Sequence, residues 1–251
     1  MTKPAVQFHV FQGSLDTHPE LLQRVSDIGF EGVEFAWRLF DFEPEQVGRA
    51  IDRTGLDVVG RHVSPSELDE TGENRASDYR RLTCTKLTVT HFDGEWFTDE
   101  RSIDELATYI HDHADRLDRH GIDLQYHNNG ADNVRLESGR PALEVLLEKL
   151  RDDITFELDV GHAVNGGFDP IQLLDRYTHR IDAIHFCDVV PGVEHSIALG
   201  QGEVELDRVL DAAITHDIDW VIYEGPHHKT TLNEAYERIQ STLSREEPLR
   251  E

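Results

Sequence analysis

Residues 154–188 read ITFELDVGHAVNGGFDPIQLLDRYTHRIDAIHFCD. A short β-rich run (154–160) is followed by an amphipathic run that opens on Pro170 and ends near Tyr177. A second β-rich run (181–188) follows. Both β-rich runs carry large apolar residues almost without interruption, as strands buried on both faces do. Strand, crossover helix and strand in this order make a parallel pair.

The same unit recurs on both sides of this segment. The pattern predicts strands at 6–12, 32–37, 57–63, 86–92, 123–128, 154–160, 181–188 and 220–224. It predicts helices at 19–28, 44–54, 74–82, 99–120, 141–151, 170–177, 206–216 and 232–243. Gly29, Gly55 and Gly121 stand where helices are expected to stop. Eight strands alternating strictly with eight helices over 251 residues predict one domain, 1–251, an α/β fold closed into a (β/α)₈ TIM barrel. An open doubly wound sheet is the competing architecture, but no G-x-G-x-x-G follows the first strand.

The chain carries 50 acidic and 24 basic residues, a formal net charge of −26, with only four lysines. Charge of that size repels itself. At about 1 M salt the screening length falls to about 3 Å and most of the repulsion disappears. The composition therefore predicts a halophilic protein from a salt-rich cytoplasm. It argues against nucleic acid as a partner, because such affinity comes largely from neutralising phosphates with Lys and Arg. It argues equally against an anionic membrane surface. The two cysteines, Cys84 and Cys187, are far apart and make neither a disulfide framework nor a thiolate zinc site. No apolar run reaches the 18 residues of a membrane span, and the N-terminus has no signal-peptide core, so a cytoplasmic protein is expected.

In a parallel barrel the reacting groups stand at the C-terminal ends of strands. Here those ends carry Glu34, His62, His91, Asp93, Gln125, His127, Asn129, Glu157, Asp159, His162, His185, Asp188 and Glu224. Acids buried together are costly unless paired or metal-bound. Asp159, His185 and Glu224 lie in three consecutive apolar strands, which makes them the expected ligands of one shared cation. That donor set suits Mn²⁺, Mg²⁺, Co²⁺ or Zn²⁺ with coordination positions left open. His91, His127 and Asn129 are expected to face the same cavity and touch substrate.

These residues fall in a familiar order. LQYHNN (124–129) resembles a Y-H-N-H signature on strand five, and FELDVGHAVNGGFDPIQLLDRY (156–177) resembles an L-D-x-G-H block with its helix. RIDAIHFCDV (180–189), LGQGEVELDRVL (199–210) and VIYEGP (221–226) resemble an H-x-K-D strand, an L-G-x-G-x-x-D loop and a last strand ending in Glu. Together they resemble the xylose-isomerase-like superfamily of sugar phosphate isomerases and epimerases. The resemblance implies metal ligation by Asp159, His185 and Glu224. It places His162 beside the metal and against substrate, and Glu34 and His62 along the substrate pocket. Many relatives supply a further metal-binding Glu at the end of strand five. This chain has the neutral Gln125 there, so Glu137, in the following loop, is the fourth-ligand candidate, with Gln125 or no fourth protein ligand as the alternatives. Cys187 stands where relatives often carry Lys.

The expected activity is a metal-dependent isomerisation or epimerisation of a sugar, sugar phosphate or keto-polyol. A proton α to a carbonyl would pass through an enediolate. Glu224 would be one proton-transfer group, with Glu137 or His162 as the other. A dehydratase of the inosose type uses the same first step. An AP-endonuclease-like phosphodiesterase is a further alternative, one that would draw on His62, His91, His162 and His195. A metal-free barrel binding a polyol by hydrogen bonds is the non-enzymatic one. The resemblance leaves a homo-oligomer open.

Overall fold

The computed structural model describes residues 1–36, 39–193, 195–226 and 231–244. Eight strands, β1 (Lys3–Gln7), β2 (Gly32–Phe35), β3 (Asp57–Val63), β4 (Lys86–Val89), β5 (Asp123–His127), β6 (Thr155–Asp159), β7 (Ile181–Phe186) and β8 (Trp220–Tyr223), close into a barrel in sequence order. Every neighbouring pair is parallel, and β1 closes on β8 through Lys3↔Trp220 to Val6↔Tyr223. The helices are α1 (His18–Ile28), α2 (Pro44–Thr54), α3 (Pro65–Glu70), α4 (Glu73–Arg81), α5 (Glu100–Asp118), α6 (Ala142–Lys149), α7 (Val160–Asn165), α8 (Pro170–Tyr177), α9 (Leu206–Thr215) and α10 (Thr231–Leu243).

Local chemistry accounts for most helix ends. Capping boxes open α1 (Thr17 with Glu20), α3 (Ser64 with Glu67) and α5 (Asp99 with Ser102). α1 and α2 stop at Gly29 and Gly55, whose φ of 114° and 70° an L side chain rarely adopts.

Strict one-to-one alternation does not hold. The segment after β3 makes two helices, α3 and α4, because Ser64–Pro65 starts a helix that Thr71–Gly72 ends. A two-turn helix, α7, follows β6 before α8, since Asp159 caps it at once. The first strand lies earlier than the pattern predicts, because Phe8–Phe11 turn into a 3-10 helix at the barrel mouth. The expected strand end at Trp37 lies outside the described residues.

The main apolar core lies between strands and helices, where residues such as Phe35, Tyr126, Phe156, Phe186 and Tyr223 are fully buried. The barrel interior holds a separate small apolar cluster, Ala5, Val59, Ala183 and Ile222, against Trp220. The layer above it is polar. Two register shifts, at Val33/Glu34 between β2 and β3 and at Phe156/Glu157 between β6 and β7, sit beside two glutamates buried in that layer. Irregularities of this kind re-aim side chains at sites.

Candidate metal and substrate site

At the C-terminal ends of the strands lies a cavity of about 810 Å³. Gln7, His9, His62, His91, His127, Asp159, His162, His195 and Glu224 are among the residues that line it. On its floor one ligand atom each of His127, Asp159, His185 and Glu224 lies within 4.8 Å of all the others. His185 Nδ1 stands 2.8 Å from Glu224 Oε2, 3.3 Å from His127 Nε2 and 3.9 Å from Asp159 Oδ2. His127 Nε2 is also 3.9 Å from Asp159 Oδ2.

Local structure places each group. Asp159 ends β6 and caps α7: its Oδ1 accepts the His162 backbone N–H at 2.5 Å, which leaves Oδ2 for the cluster. The Asn128 side chain holds Asp159 from behind, with Oδ1 accepting its N–H (2.8 Å) and Nδ2 donating to its carbonyl (3.1 Å). Gly161 is required beside it, because a Cβ there would come within 2.6 Å of Cys187 Sγ. Glu224 follows β8, its Oε1 3.3 Å from His9 Nδ1.

Beneath the cluster lies a second polar layer. His185 Nε2–H donates to Glu34 Oε2 at 2.8 Å, and His62 Nε2–H donates to Glu157 Oε2 at 2.8 Å. Each imidazole also approaches the other's carboxylate, at 3.3 Å and 3.2 Å. The His62 and His185 rings stack with centroids 4.9 Å apart, and Gln7 Nε2 donates to Glu34 Oε2 at 2.8 Å. Among the described residues, Glu34 Oε1 and Glu157 Oε1 are buried without a hydrogen-bond partner.

Charge alternates through this stack. Burial by itself would raise Glu34, but His62 and His185 outweigh it and hold the carboxyl down at about 2. Burial and the adjacent Glu34 push Glu157 up to about 7. Burial also resists the charge on His185, yet Glu157, Glu34 and Glu224 keep its pKa well above the ordinary imidazole value. Burial opposes ionisation of Glu224 as well, and hydrogen bonds from His185 and His9 overcome it, so the carboxyl titrates far below its usual range. His127 goes the other way: burial, with His185 and His62 nearby, depresses it strongly and keeps it neutral.

The cluster fits a divalent cation. Ligand atoms about 2.1 Å from one ion stand roughly 3.0–4.2 Å apart in tetrahedral or octahedral arrangements, close to the separations here. The outer nitrogens of both imidazoles are engaged: His185 Nε2 with Glu34, and His127 Nδ1 with Thr90 Oγ1 at 3.3 Å. Their remaining nitrogens face each other and two carboxylates, and with the His185 Nδ1 proton displaced all four would be donors to one shared cation.

The structure redistributes several expected residues. Asp159, His185 and Glu224 come together, and His62, His91 and His162 line the cavity. Glu137 does not join them: it is exposed in the turn after β5, and His127 takes the fourth place instead. Gln125 lies one layer deeper, accepting from Thr88 Oγ1 (3.0 Å) and donating to Asp182 (2.6 Å), which also pairs with Lys86. Glu34 is fully buried under His185 rather than along the substrate cavity. Asn129 caps the 3-10 turn Gly130–Asn133 through Ala131 N–H.

Asp188 is not among the residues that line the cavity and instead anchors a loop. Its carboxylate accepts four backbone N–H groups, from Val189 (3.0 Å), Gly200 (2.7 Å), Gly202 (2.9 Å) and Val204 (3.2 Å). A Cβ at Gly202 would lie 2.2 Å from Asp188 Oδ1, which explains that glycine. The loop so held carries His195 and Ser196 to the cavity. Gln7 and His9, which the early end of β1 brings to the mouth, carry no signal in the sequence pattern, and Glu157 stands there as one strand-end acid among several. Glu157 precedes Asp159 by two residues on the same strand face, a signal that was present.

Comparison with known proteins agrees with this architecture. An inosose dehydratase of Geobacillus kaustophilus is 24% identical over 196 residues, covering 69% of this chain and 62% of that relative, so the chain spans less than two thirds of its length. Among solved structures, a sugar phosphate isomerase/epimerase from Parabacteroides distasonis superposes with a TM-score of 0.77 at 19% identity, over 98% of this chain and 95% of that one. A probable 3-DHS dehydratase from Bacillus anthracis gives 0.79 at 15% identity, over 96% and 99%. These two likenesses concern the fold. A family model described as "Xylose isomerase-like TIM barrel" matches residues 22–246, and the chain belongs to that family.

Proposed function

We propose that the chain is a divalent-metal-dependent enzyme that isomerises or epimerises a keto sugar, sugar phosphate or keto-polyol by moving a proton through an enediolate. The observation that carries this reading is the meeting of His127, Asp159, His185 and Glu224 on the floor of a cavity lined by hydrogen-bonding side chains. A cation held by these four would act as a Lewis acid, making a C–H beside a carbonyl more acidic. Glu224, held ionised, is the proton acceptor. His162, on the first turn of α7 and lining the same cavity, is the second proton-transfer group. His62, His91 and His127 present imidazoles to the substrate hydroxyls or the cation.

The inosose dehydratase relative favours a second reading, in which the same proton abstraction is followed by loss of a hydroxyl as water. Phosphodiester cleavage of damaged DNA fits less well, because a net charge of −26 opposes a polyanion.

One assay covers the first two readings. The chelator-stripped protein is reloaded with Mn²⁺, Co²⁺, Mg²⁺ or Zn²⁺ in D₂O and offered keto sugars, their phosphates and inososes. Deuterium should enter at the carbon beside the carbonyl, and loss of water would identify the dehydratase. Glu224→Gln should abolish the exchange while circular dichroism stays unchanged. Full exchange in that variant would remove Glu224, and with it this mechanism.

A further inference from the structure

We infer that the centre prefers late first-row divalent ions (Co²⁺, Ni²⁺, Zn²⁺) over Mg²⁺ and Ca²⁺, and that His127 sets this preference. The inference rests on the reading that His127, Asp159, His185 and Glu224 hold a cation. Two of these four donors are imidazoles, and imidazole suits Zn, Fe and Ni, whereas Mg and Ca take oxygen.

The surroundings strengthen the nitrogen donors. Glu34 Oε2, 2.8 Å from His185 Nε2, accepts that N–H and so directs Nδ1 toward the cluster, where a cation would replace the Nδ1 proton shared with Glu224. A carboxylate in this position raises the basicity of the ligating imidazole and fixes its orientation. Thr90 Oγ1, 3.3 Å from His127 Nδ1, holds the second ring by its outer nitrogen, so Nε2 faces inward. The two inward nitrogens are 3.3 Å apart, close to the roughly 3.4 Å that two tetrahedral ligands about 2.1 Å from one ion would show. Glu34 is therefore a positioning residue for His185. It is buried beneath the ring and does not line the cavity.

The test uses the full chain, stripped with a chelator and titrated with Mg²⁺, Ca²⁺, Mn²⁺, Co²⁺, Ni²⁺ and Zn²⁺ alone by calorimetry. Cobalt loading is also followed by its visible absorption. Affinity rises toward the later metals for almost any donor set. The deciding quantity is therefore the Co²⁺/Mg²⁺ affinity ratio in wild type against His127→Glu. The wild-type ratio should be at least ~100-fold, and His127→Glu should cut it by at least ~10-fold and change the cobalt spectrum. His127→Gln, which keeps size and neutrality but offers oxygen, should move the ratio the same way, and it serves if the glutamate variant does not fold. Glu34→Leu should weaken Co²⁺ more than Mg²⁺, with Glu34→Gln recovering part of the loss. A wild-type Mg²⁺ affinity within ~10-fold of Co²⁺, or an unchanged ratio in both His127 variants, overturns the selectivity while leaving the metal reading intact. Failure of every cation to bind wild type overturns both.

Discussion

Replacing Asp188 with Asn keeps the side chain's shape but reverses the polarity of one end. In the native protein both oxygens accept, Oδ1 from Val189 and Val204 and Oδ2 from Gly200 and Gly202. An amide oxygen can serve only one of these pairs, and its NH₂ would face the N–H groups of the other. Two hydrogen bonds to a charged acceptor are lost. At about 1.5–3 kcal/mol each they are worth about 3–6 kcal/mol, before any repulsion between the facing donors. For a chain of this size 1 kcal/mol moves the melting temperature by about 2–4 °C, so Asp188→Asn should melt at least about 6 °C below wild type. Differential scanning calorimetry gives that shift, and hydrogen exchange should show the Gly200 and Gly202 amides losing protection first. The same variant should still bind cations, since Asp188 is no part of the metal cluster. A melting temperature within about 2 °C of wild type, with those amides still protected, would refute the anchoring role.

Three further outcomes follow from other parts of the molecule. Burial raises the Asp132 carboxyl to about 7, against hydrogen bonds from Tyr126 and Asn129 that favour its ionised form. A carboxyl raised in the folded state contributes stability that is full below its unfolded pKa near 3.9 and is lost as pH rises to about 7. That amounts to roughly 4 kcal/mol, and calorimetry from pH 4 to 8 should show the decline flattened in Asp132→Asn; equal slopes would contradict it. His91 sits at the cavity with φ of 64°. Relief of left-handed strain (about 1–2 kcal/mol) offsets the added chain entropy of glycine (about 0.5–1 kcal/mol), so His91→Gly should melt close to wild type yet turn over more slowly; unimpaired turnover would remove His91 from the substrate site. The net charge of −26 should make the melting temperature climb between about 0.1 and 1 M KCl as the screening length falls from about 10 to 3 Å, and a flat response would count against self-repulsion as a significant term.

The order and type of the strands were legible because the apolar patterning of a buried parallel strand is a local property. The runs around Phe156, Ile184 and Val221 show it without reference to anything else in the chain. The residues that reach the C-terminal mouth were legible for a similar reason, since strand polarity alone assigns His62, Asp159, His185 and Glu224 to one end of the barrel. Helix boundaries shifted where capping competed with periodicity, as at Ser64 and Asp159.

What the sequence by itself determined is thus the closed parallel barrel and the identity of most groups gathered at its mouth. Only the tertiary structure decided their depth. Gln125 and His127 share one strand face, as do Glu157 and Asp159, and each pair is separated along its strand by about 6.6 Å. Which member stands level with His185 depends on the stagger between strands, a property of the whole closed sheet rather than of any segment. The register pairs His127 with Glu157 and Asp159 with His185, and the side chains of His127, Asp159, His185 and Glu224 converge at the mouth. Gln125 lies below, against Thr88 and Asp182, and Glu137 is left in solvent.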